Sequence, residues 1–134
     1  MPGSGIWNSS GNVGIGTVSP GYKLDVNGNI GASGFYYTSD ISLKEDIKPI
    51  FNALESIKKL NGVEFRWKES GRQDLGLIAQ DVERVFPDLV QINNSTGLKS
   101  VEYGNLVAPL IEAIKEQQKQ IEELKNEIKQ IKAN

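Results

Sequence analysis

The 134-residue sequence contains no cysteine and no histidine. Without cysteine, disulfides, thiolate catalysis and thiolate metal sites are excluded. Without histidine, the usual general base and the commonest zinc ligand are missing. Any chemistry must therefore use hydroxyl, amine or carboxylate groups. No metal is expected, because the acidic residues show no ligand-like spacing. No nucleotide cofactor is expected either, because Gly14-Ile15-Gly16 is followed by Ser19 where a dinucleotide-binding loop has its third glycine.

The chain also lacks a strong charge of either sign and a long apolar run. Its formal net charge is −2, which offers no general attraction to nucleic acid or to an anionic membrane. No apolar stretch approaches the roughly 18 residues of a membrane span. Neither nucleic acid nor a membrane is therefore expected as a partner. The length and the 38% hydrophobic content suit one modest folded domain.

The composition changes near residue 38. Residues 1–38 hold 9 of the 14 glycines but only two of the 32 charged residues, which are the 15 Lys and Arg plus the 17 Asp and Glu. Asn27-Gly28 predicts a two-residue hairpin turn, because such turns need residues that tolerate positive φ. A segment this short and glycine-rich cannot bury a core alone. We interpret it as the end of a β-rich fibre or shaft segment that other chains complete.

Residues 39–104 predict a compact α+β unit. A helix is expected to begin at Pro49, with Leu54 and Ile57 on its apolar face. The alternating VEFRW (residues 63–67) and the apolar LGLIA (residues 75–79) predict two strands. QDVERVF (residues 80–86) predicts a short helix that Pro87 ends. Residues 89–92 and 98–103 predict a final hairpin.

Residues 105–134 predict one long helix, capped by Asn105, with a coiled-coil seam. Outside the seam, almost every position from Lys115 onward is polar, so the helix has only its seam to bury. Self-association through the seam is therefore expected. The alternative is a helix that folds back on its own domain. The residue types at the a and d positions favour a dimer, although a polar layer at Gln117 and the isoleucine at position 131 weaken that preference. The apolar seam residues are Val107, Leu110, Ile114, Ile121, Leu124, Ile128 and Ile131.

A serine and a lysine stand where the composition changes, within YYTSDISLKEDIKPI (residues 36–50). A serine hydroxyl needs a base to become a nucleophile. Without histidine, that base would be a lysine that burial keeps neutral. Lys44 is a candidate for this base, since its neighbours Leu43 and Ile47 are expected to pack. The alternative is that Ser39 or Asp40 caps a turn and Lys44 is solvated, which the spacing alone favours.

Four blocks of the sequence together resemble a known family: SDISLKEDIKPI, ALESIKKLNGVEFRW, LGLIAQDVERVFPDLV and VEYGNLVAPLIEAIKEQQKQIEELK. They resemble the C-terminal intramolecular chaperone domain of phage tailspikes and tail fibres, which is the self-cleaving S74 peptidase family. The same family occurs in endosialidase tailspikes and in a membrane-bound myelin transcription factor. The resemblance covers residues 39–134, and the glycine-rich region is similar to repeats that precede this domain in fibre proteins.

The resemblance implies a mechanism and a partner. Domains of this family form trimers, help the upstream fibre to fold, and then cut themselves off at a Ser-Asp junction. Ser39 matches the family nucleophile, Lys44 its general base, and Asp40 the residue that follows the cut. Ser42 departs from the family, which often has Arg at this position. The implied partners are two further copies of the chain and its own upstream fibre region.

The expected protein is therefore a homotrimer of the α+β class with three parts. Residues 1–38 form the end of a β-rich fibre segment, residues 39–104 the chaperone and self-peptidase core, and residues 105–134 a trimeric coiled-coil helix. The expected function is that of an intramolecular chaperone of a tail fibre or tailspike precursor, assembled in the host cytoplasm. It would release itself by cutting the Ser39-Asp40 bond with the dyad of Ser39 and Lys44. The alternative is a structural trimerisation cap that does not cleave.

Overall fold

The computed structural model of the chain describes residues 6–9 and 11–134. These residues form two compact units. The first contains the residues up to Ile47 together with Ile92–Leu98, and the second contains Lys48–Gln91 together with Lys99–Asn134. Helices and strands are both present, and one long helix occupies the C-terminal region. The expected α+β class is therefore confirmed.

The glycine-rich region of the first unit forms a small three-stranded sheet. Strand β1 is Ile6–Ser9, β2 is Asn12–Ile15 and β3 is Leu24–Val26. Strands β1 and β2 are antiparallel, whereas β2 and β3 are parallel. The segment is thus β-structured, as its sequence predicted.

The hairpin predicted at Asn27-Gly28 is wrong. The Asn27 N–H donates to the Ile15 carbonyl at 2.8 Å, which extends the parallel pairing of β3 with β2. Only Gly28 of the two residues has a positive φ, 155°, whereas a type I′ hairpin turn needs positive φ at both positions. No returning strand follows Gly28, because residues 27–40 contain neither helix nor strand. They lead into the short 3₁₀ turn Ile41–Leu43.

The second unit opens with helix α1, which is Ala53–Ile57, rather than a helix from Pro49. The backbone of Asn52 is left-handed, with φ 54°, and a right-handed helix cannot include that conformation. Asn52 makes no side-chain capping bond. The Glu116 carboxylate caps α1 instead, because it accepts the N–H groups of Ala53 and Leu54, both at 2.9 Å.

Strand β4 is Val63–Arg66, as the alternation predicted, and it pairs antiparallel with β5, which is Gln73–Gly76. The second strand therefore begins earlier than the predicted LGLIA. A tight turn follows β4, in which the Trp67 N–H donates to the Arg72 carbonyl and the Gly71 N–H to the Trp67 carbonyl. Since this turn brings Gln73 opposite Arg66, pairing starts at Gln73.

Two further predictions are confirmed. Helix α2 is Ala79–Val85 and ends before Pro87, which begins the 3₁₀ turn Pro87–Leu89. Strands β6, Val90–Ile92, and β7, Lys99–Val101, form the final two-stranded sheet.

Helix α3, Val107–Ala133, is the long C-terminal helix. The capping role predicted for Asn105 is wrong, because the chain enters α3 through the 3₁₀ turn Tyr103–Leu106. The Asn105 side chain instead donates to Glu102 Oε2 at 3.1 Å. Helices α1 and α3 pack against each other. The small buried side chains of Ala53 and Ala113 allow this close approach.

The apolar core of the second unit is small. Its buried side chains are Ala53, Val82, Leu106, Pro109 and Ala113. The seam residues of α3 are exposed instead, by 39% at Ile121 and by 73% at Ile131. An exposed apolar stripe of this kind, interrupted by Gln117, marks an interaction surface more often than scattered exposed leucines do.

Candidate active site

The 3₁₀ turn Ile41–Leu43 determines where Ser39 and Lys44 lie. Asp40 caps this turn, since its Oδ1 accepts the Ser42 N–H at 2.8 Å and the Ser42 hydroxyl at 2.6 Å. The Lys44 N–H closes the turn by donating to the Ile41 carbonyl at 3.1 Å. Aspartate favours such turns because its short carboxylate reaches the backbone two residues on.

The two residues singled out by the sequence flank this turn, and their side chains meet. Lys44 Nζ donates a hydrogen bond to Ser39 Oγ at 2.6 Å. A general base must lie within about 2.6–3.2 Å of the group that it deprotonates. The separation of the two atoms therefore suits proton transfer. The alternative interpretation also describes part of the geometry, since Asp40 caps the turn and Lys44 is exposed.

The turn also determines the ionisation of Asp40. Hydrogen bonds from the Ser42 hydroxyl and from the Ser42 N–H lower the pKa of the Asp40 carboxyl below its ordinary value of 3.8. Ser42 thus has a definite place in the site, because it supplies both donors. The sequence interpretation missed this role, although an aspartate followed two residues later by serine is a recognisable turn signal.

The surroundings of the pair are open in a single chain. Leu43 is 72% exposed and Ile47 is 64% exposed, whereas the sequence led us to expect that this stretch packs. Other large apolar side chains close to the pair in sequence are exposed as well: Phe35, Tyr36, Tyr37 and Ile41. Exposed apolar side chains in such number are typical of a surface that another chain covers.

Two kinds of feature do not occur in the part of the chain that the structure describes. No group of three or more His, Cys, Asp or Glu side chains there could hold a metal ion. None of the helices among residues 6–9 and 11–134 combines the length and apolar character needed to span a membrane.

Comparison with known proteins identifies the class of domain. Residues 39–91 match the family described as the chaperone of endosialidase, the S74 peptidase family. The chain therefore belongs to this family, as its four sequence blocks indicated. The match begins at Ser39, the residue whose hydroxyl contacts Lys44.

Individual relatives include phage and eukaryotic proteins. The chain is 36% identical over 108 residues to the long tail fibre proteins of enterobacteria phages K3 and T2, an alignment that covers 75% of this chain. It is 31% identical over 150 aligned positions to the myelin gene regulatory factor-like A protein of Dictyostelium discoideum, covering 89% of this chain and 16% of that protein. The chain spans only 9% and 8% of the two tail fibre proteins.

Proposed function

We propose that this chain is an intramolecular chaperone that forms a homotrimer, guides folding of its upstream fibre segment, and then cuts its own Ser39-Asp40 bond. The observation that carries the proposal is the contact of 2.6 Å between Lys44 Nζ and Ser39 Oγ, at the first residue of the family match. The tail fibre relatives support a place in a phage tail fibre or tailspike precursor, assembled in the host cytoplasm.

The exposed seam of α3 supports the trimer. Each large aliphatic side chain that becomes fully buried contributes roughly 1.5–3 kcal/mol, and the small core of the second unit leaves the seam residues available for this. A parallel trimer would hold three upstream segments at one level and raise their effective concentration. The choice of trimer over dimer rests on the family, because the seam residues alone lean towards a dimer.

The proposed reaction begins with proton transfer. The neutral amine of Lys44 takes the proton of Ser39 Oγ while this oxygen attacks the carbonyl carbon of a Ser39-Asp40 peptide bond. The tetrahedral adduct collapses, its C–N bond breaks, and the Asp40 nitrogen takes the proton from the Lys44 ammonium group. Water then hydrolyses the resulting ester, which restores the attacking hydroxyl and leaves a carboxylate on the severed Ser39.

The attacking oxygen is expected to come from a different copy of the chain. Attack of Ser39 Oγ on its own carbonyl carbon would close a four-membered ring, with bond angles far from their normal values. Attack on the preceding carbonyl, that of Thr38, would close a less strained five-membered ring but would cut the bond before Ser39. In a trimer, the Ser39-Lys44 pair of one chain can instead reach the Ser39-Asp40 bond of the next.

The same arrangement accounts for the exposure of Lys44 in a single chain. A neighbouring copy that covers Leu43 and Ile47 would remove water from the lysine amine, and burial favours the neutral form that can accept a proton. Cleavage would then depend on assembly, so a chain could not cut itself before its trimer has formed.

Mass analysis of the refolded protein under denaturing conditions tests the proposal. The wild-type chain should separate into two fragments between Ser39 and Asp40, whereas Ser39→Ala and Lys44→Met should stay intact and still form trimers. Ser33→Ala and Lys48→Met are matched controls, since they change the same residue types at nearby exposed positions; both should cleave normally. A fully assembled wild-type trimer that stays uncut would favour the structural cap, a function that the exposure of Lys44 would suit.

A further inference from the structure

A buried side-chain contact joins the segment before the proposed cut to a turn that lies after it. Asn93, in the turn between β6 and β7, is only 8% exposed. Its Nδ2 donates to Asp25 Oδ2, in β3, at 3.2 Å. The same carboxylate oxygen accepts the Gly21 N–H at 2.9 Å. We call Gly21, Asp25 and Asn93 the latch.

The amide of Asn93 is held in one orientation by its own turn. Its Oδ1 accepts the N–H groups of Ser95 at 2.8 Å and Thr96 at 3.1 Å. The backbone of Asn93 is also fixed, because its N–H donates to the Leu98 carbonyl at 2.9 Å and its carbonyl accepts the Gly97 N–H at 2.8 Å. The turn therefore holds the Asn93 Nδ2 donor in a fixed position. Only an acceptor in the position of Asp25 Oδ2 can accept its hydrogen bond.

The latch is also selective in shape. A Cβ atom added at Gly21 would lie 2.6 Å from Asn93 Nδ2, far closer than carbon and nitrogen pack in proteins. Asn93 cannot move away without losing its bonds to Ser95 and Thr96. Glycine is therefore the residue that fits at position 21, and the turn and the fibre segment are complementary in both contact and shape.

We propose that the latch keeps the severed fibre segment bound to the chaperone after the Ser39-Asp40 bond is cut, so that cleavage and release are separate steps. The order of these steps rests on the proposed self-cleavage, whereas the contact itself does not. Residues 27–40 are exposed and contain neither helix nor strand. A cut at Ser39 therefore removes the covalent link and leaves the latch intact.

The binding partner of the β6–β7 turn is thus residues 21–25 of the same chain's fibre segment. Release of the chaperone requires this contact to open. The chaperone would accordingly stay on the fibre end after cleavage, and the strength of the latch would set how long it stays.

An added protease tests the latch without relying on self-cleavage. A Ser39→Ala chain that carries a site-specific protease sequence in place of residues 32–38 is digested to completion under native conditions. Gel filtration and native mass spectrometry then show whether the two fragments remain together. We expect them to co-elute in the parent chain. Gly21→Ala should raise the dissociation constant of the fragment pair by roughly 10- to 100-fold, the range expected for a lost hydrogen bond to a charged group.

Two further variants make the result decisive. Gly31→Ala is the matched control, since a Cβ there meets no atom within 4 Å, and it should behave like the parent. Asp25→Ala removes the acceptor without adding bulk and should weaken retention in the same direction as Gly21→Ala. Fragments that separate at once in the parent, or that stay equally bound in both latch variants, would overturn the proposal. A failure of self-cleavage would appear separately, as an intact wild-type chain.

Discussion

Glu116 offers a sharp test of how the second unit is held together. Its carboxylate accepts the N–H groups of Ala53 and Leu54, both at 2.9 Å, and so supplies from α3 the cap that Asn52 does not provide. The first N–H groups of a helix have no partner within the helix. Since α1 has five residues, it is too short to persist without tertiary support.

The expected loss of stability in Glu116→Ala is about 2 kcal/mol. A hydrogen bond to a charged group contributes roughly 1.5–3 kcal/mol, and loss of a helix cap costs roughly 0.5–2 kcal/mol. The two ranges describe the same pair of bonds and overlap at about 2 kcal/mol, and water can replace part of what the carboxylate supplies at these partly buried sites. Glu116→Gln keeps one acceptor oxygen and loses the charge, so about half of that loss is expected.

Guanidinium unfolding followed by circular dichroism measures this loss, at one fixed protein concentration because the stability of an oligomer depends on it. Glu123→Ala is the matched control: it lies on the same helix, and its carboxylate is 4.0 Å from Lys119 Nζ at the exposed surface. It should cost less than about 0.5 kcal/mol. Equal stability of the Glu116 and Glu123 variants would refute the capping role.

Three further predictions concern the seam, the turn and the direction of attack. Ile121→Asp places a charge in the seam and should dissociate the proposed trimer in sedimentation equilibrium, whereas Asn126→Asp, on the outer face, should not; an unchanged mass for both would argue against the seam. The folded-state pKa of Asp40 lies below 3.8, so its turn contributes stability above that pH that is lost as the pH falls through the folded value. Titration by NMR should place the midpoint below 3.8, and Ser42→Ala should raise it; an identical midpoint would exclude the Ser42 hydroxyl as the main cause. Refolding a tagged Ser39→Ala chain with excess wild type should give cut tagged chains, and tagged chains that remain intact would contradict attack between copies.

The elements that could be predicted from sequence are those that local patterns determine. The heptad spacing of the C-terminal region predicted α3, the alternation of residues 63–67 predicted β4, and Pro87 marked the end of α2. In each case the deciding interactions lie within a few residues of one another along the chain.

The predictions from sequence were wrong where a residue far away in the chain determines the local structure. The start of α1 depends on Glu116, which is 63 positions from Ala53. Asn27 continues a parallel pairing with β2 instead of turning back. The contact between Asp25 and Asn93 spans 68 positions, and neither residue stands out in the sequence. Local propensity contains no information about such partners.

In the candidate site, too, the features set by nearby residues could be predicted and those set by distant contacts could not. The approach of Lys44 to Ser39 is local, and in a sequence without histidine this pair is the candidate nucleophile and base. The supporting bonds from Ser42 to Asp40 are equally local and could have been recognised. The burial expected around Leu43 does not occur in one chain, because under the proposed mechanism it requires contacts with other copies.

The most direct test of the proposed mechanism is the mass and N-terminal residue of the fragments that form as wild-type protein refolds, followed together with trimer formation. Attack between copies through Ser39 and Lys44 predicts a C-terminal fragment that begins at Asp40 and appears only once the trimer has formed. A fully trimeric sample whose chains stay intact would contradict self-cleavage. A fragment that begins at Ser39 would show that the bond before Ser39 is cut, which would contradict both the proposed cleavage site and the proposed attack between copies.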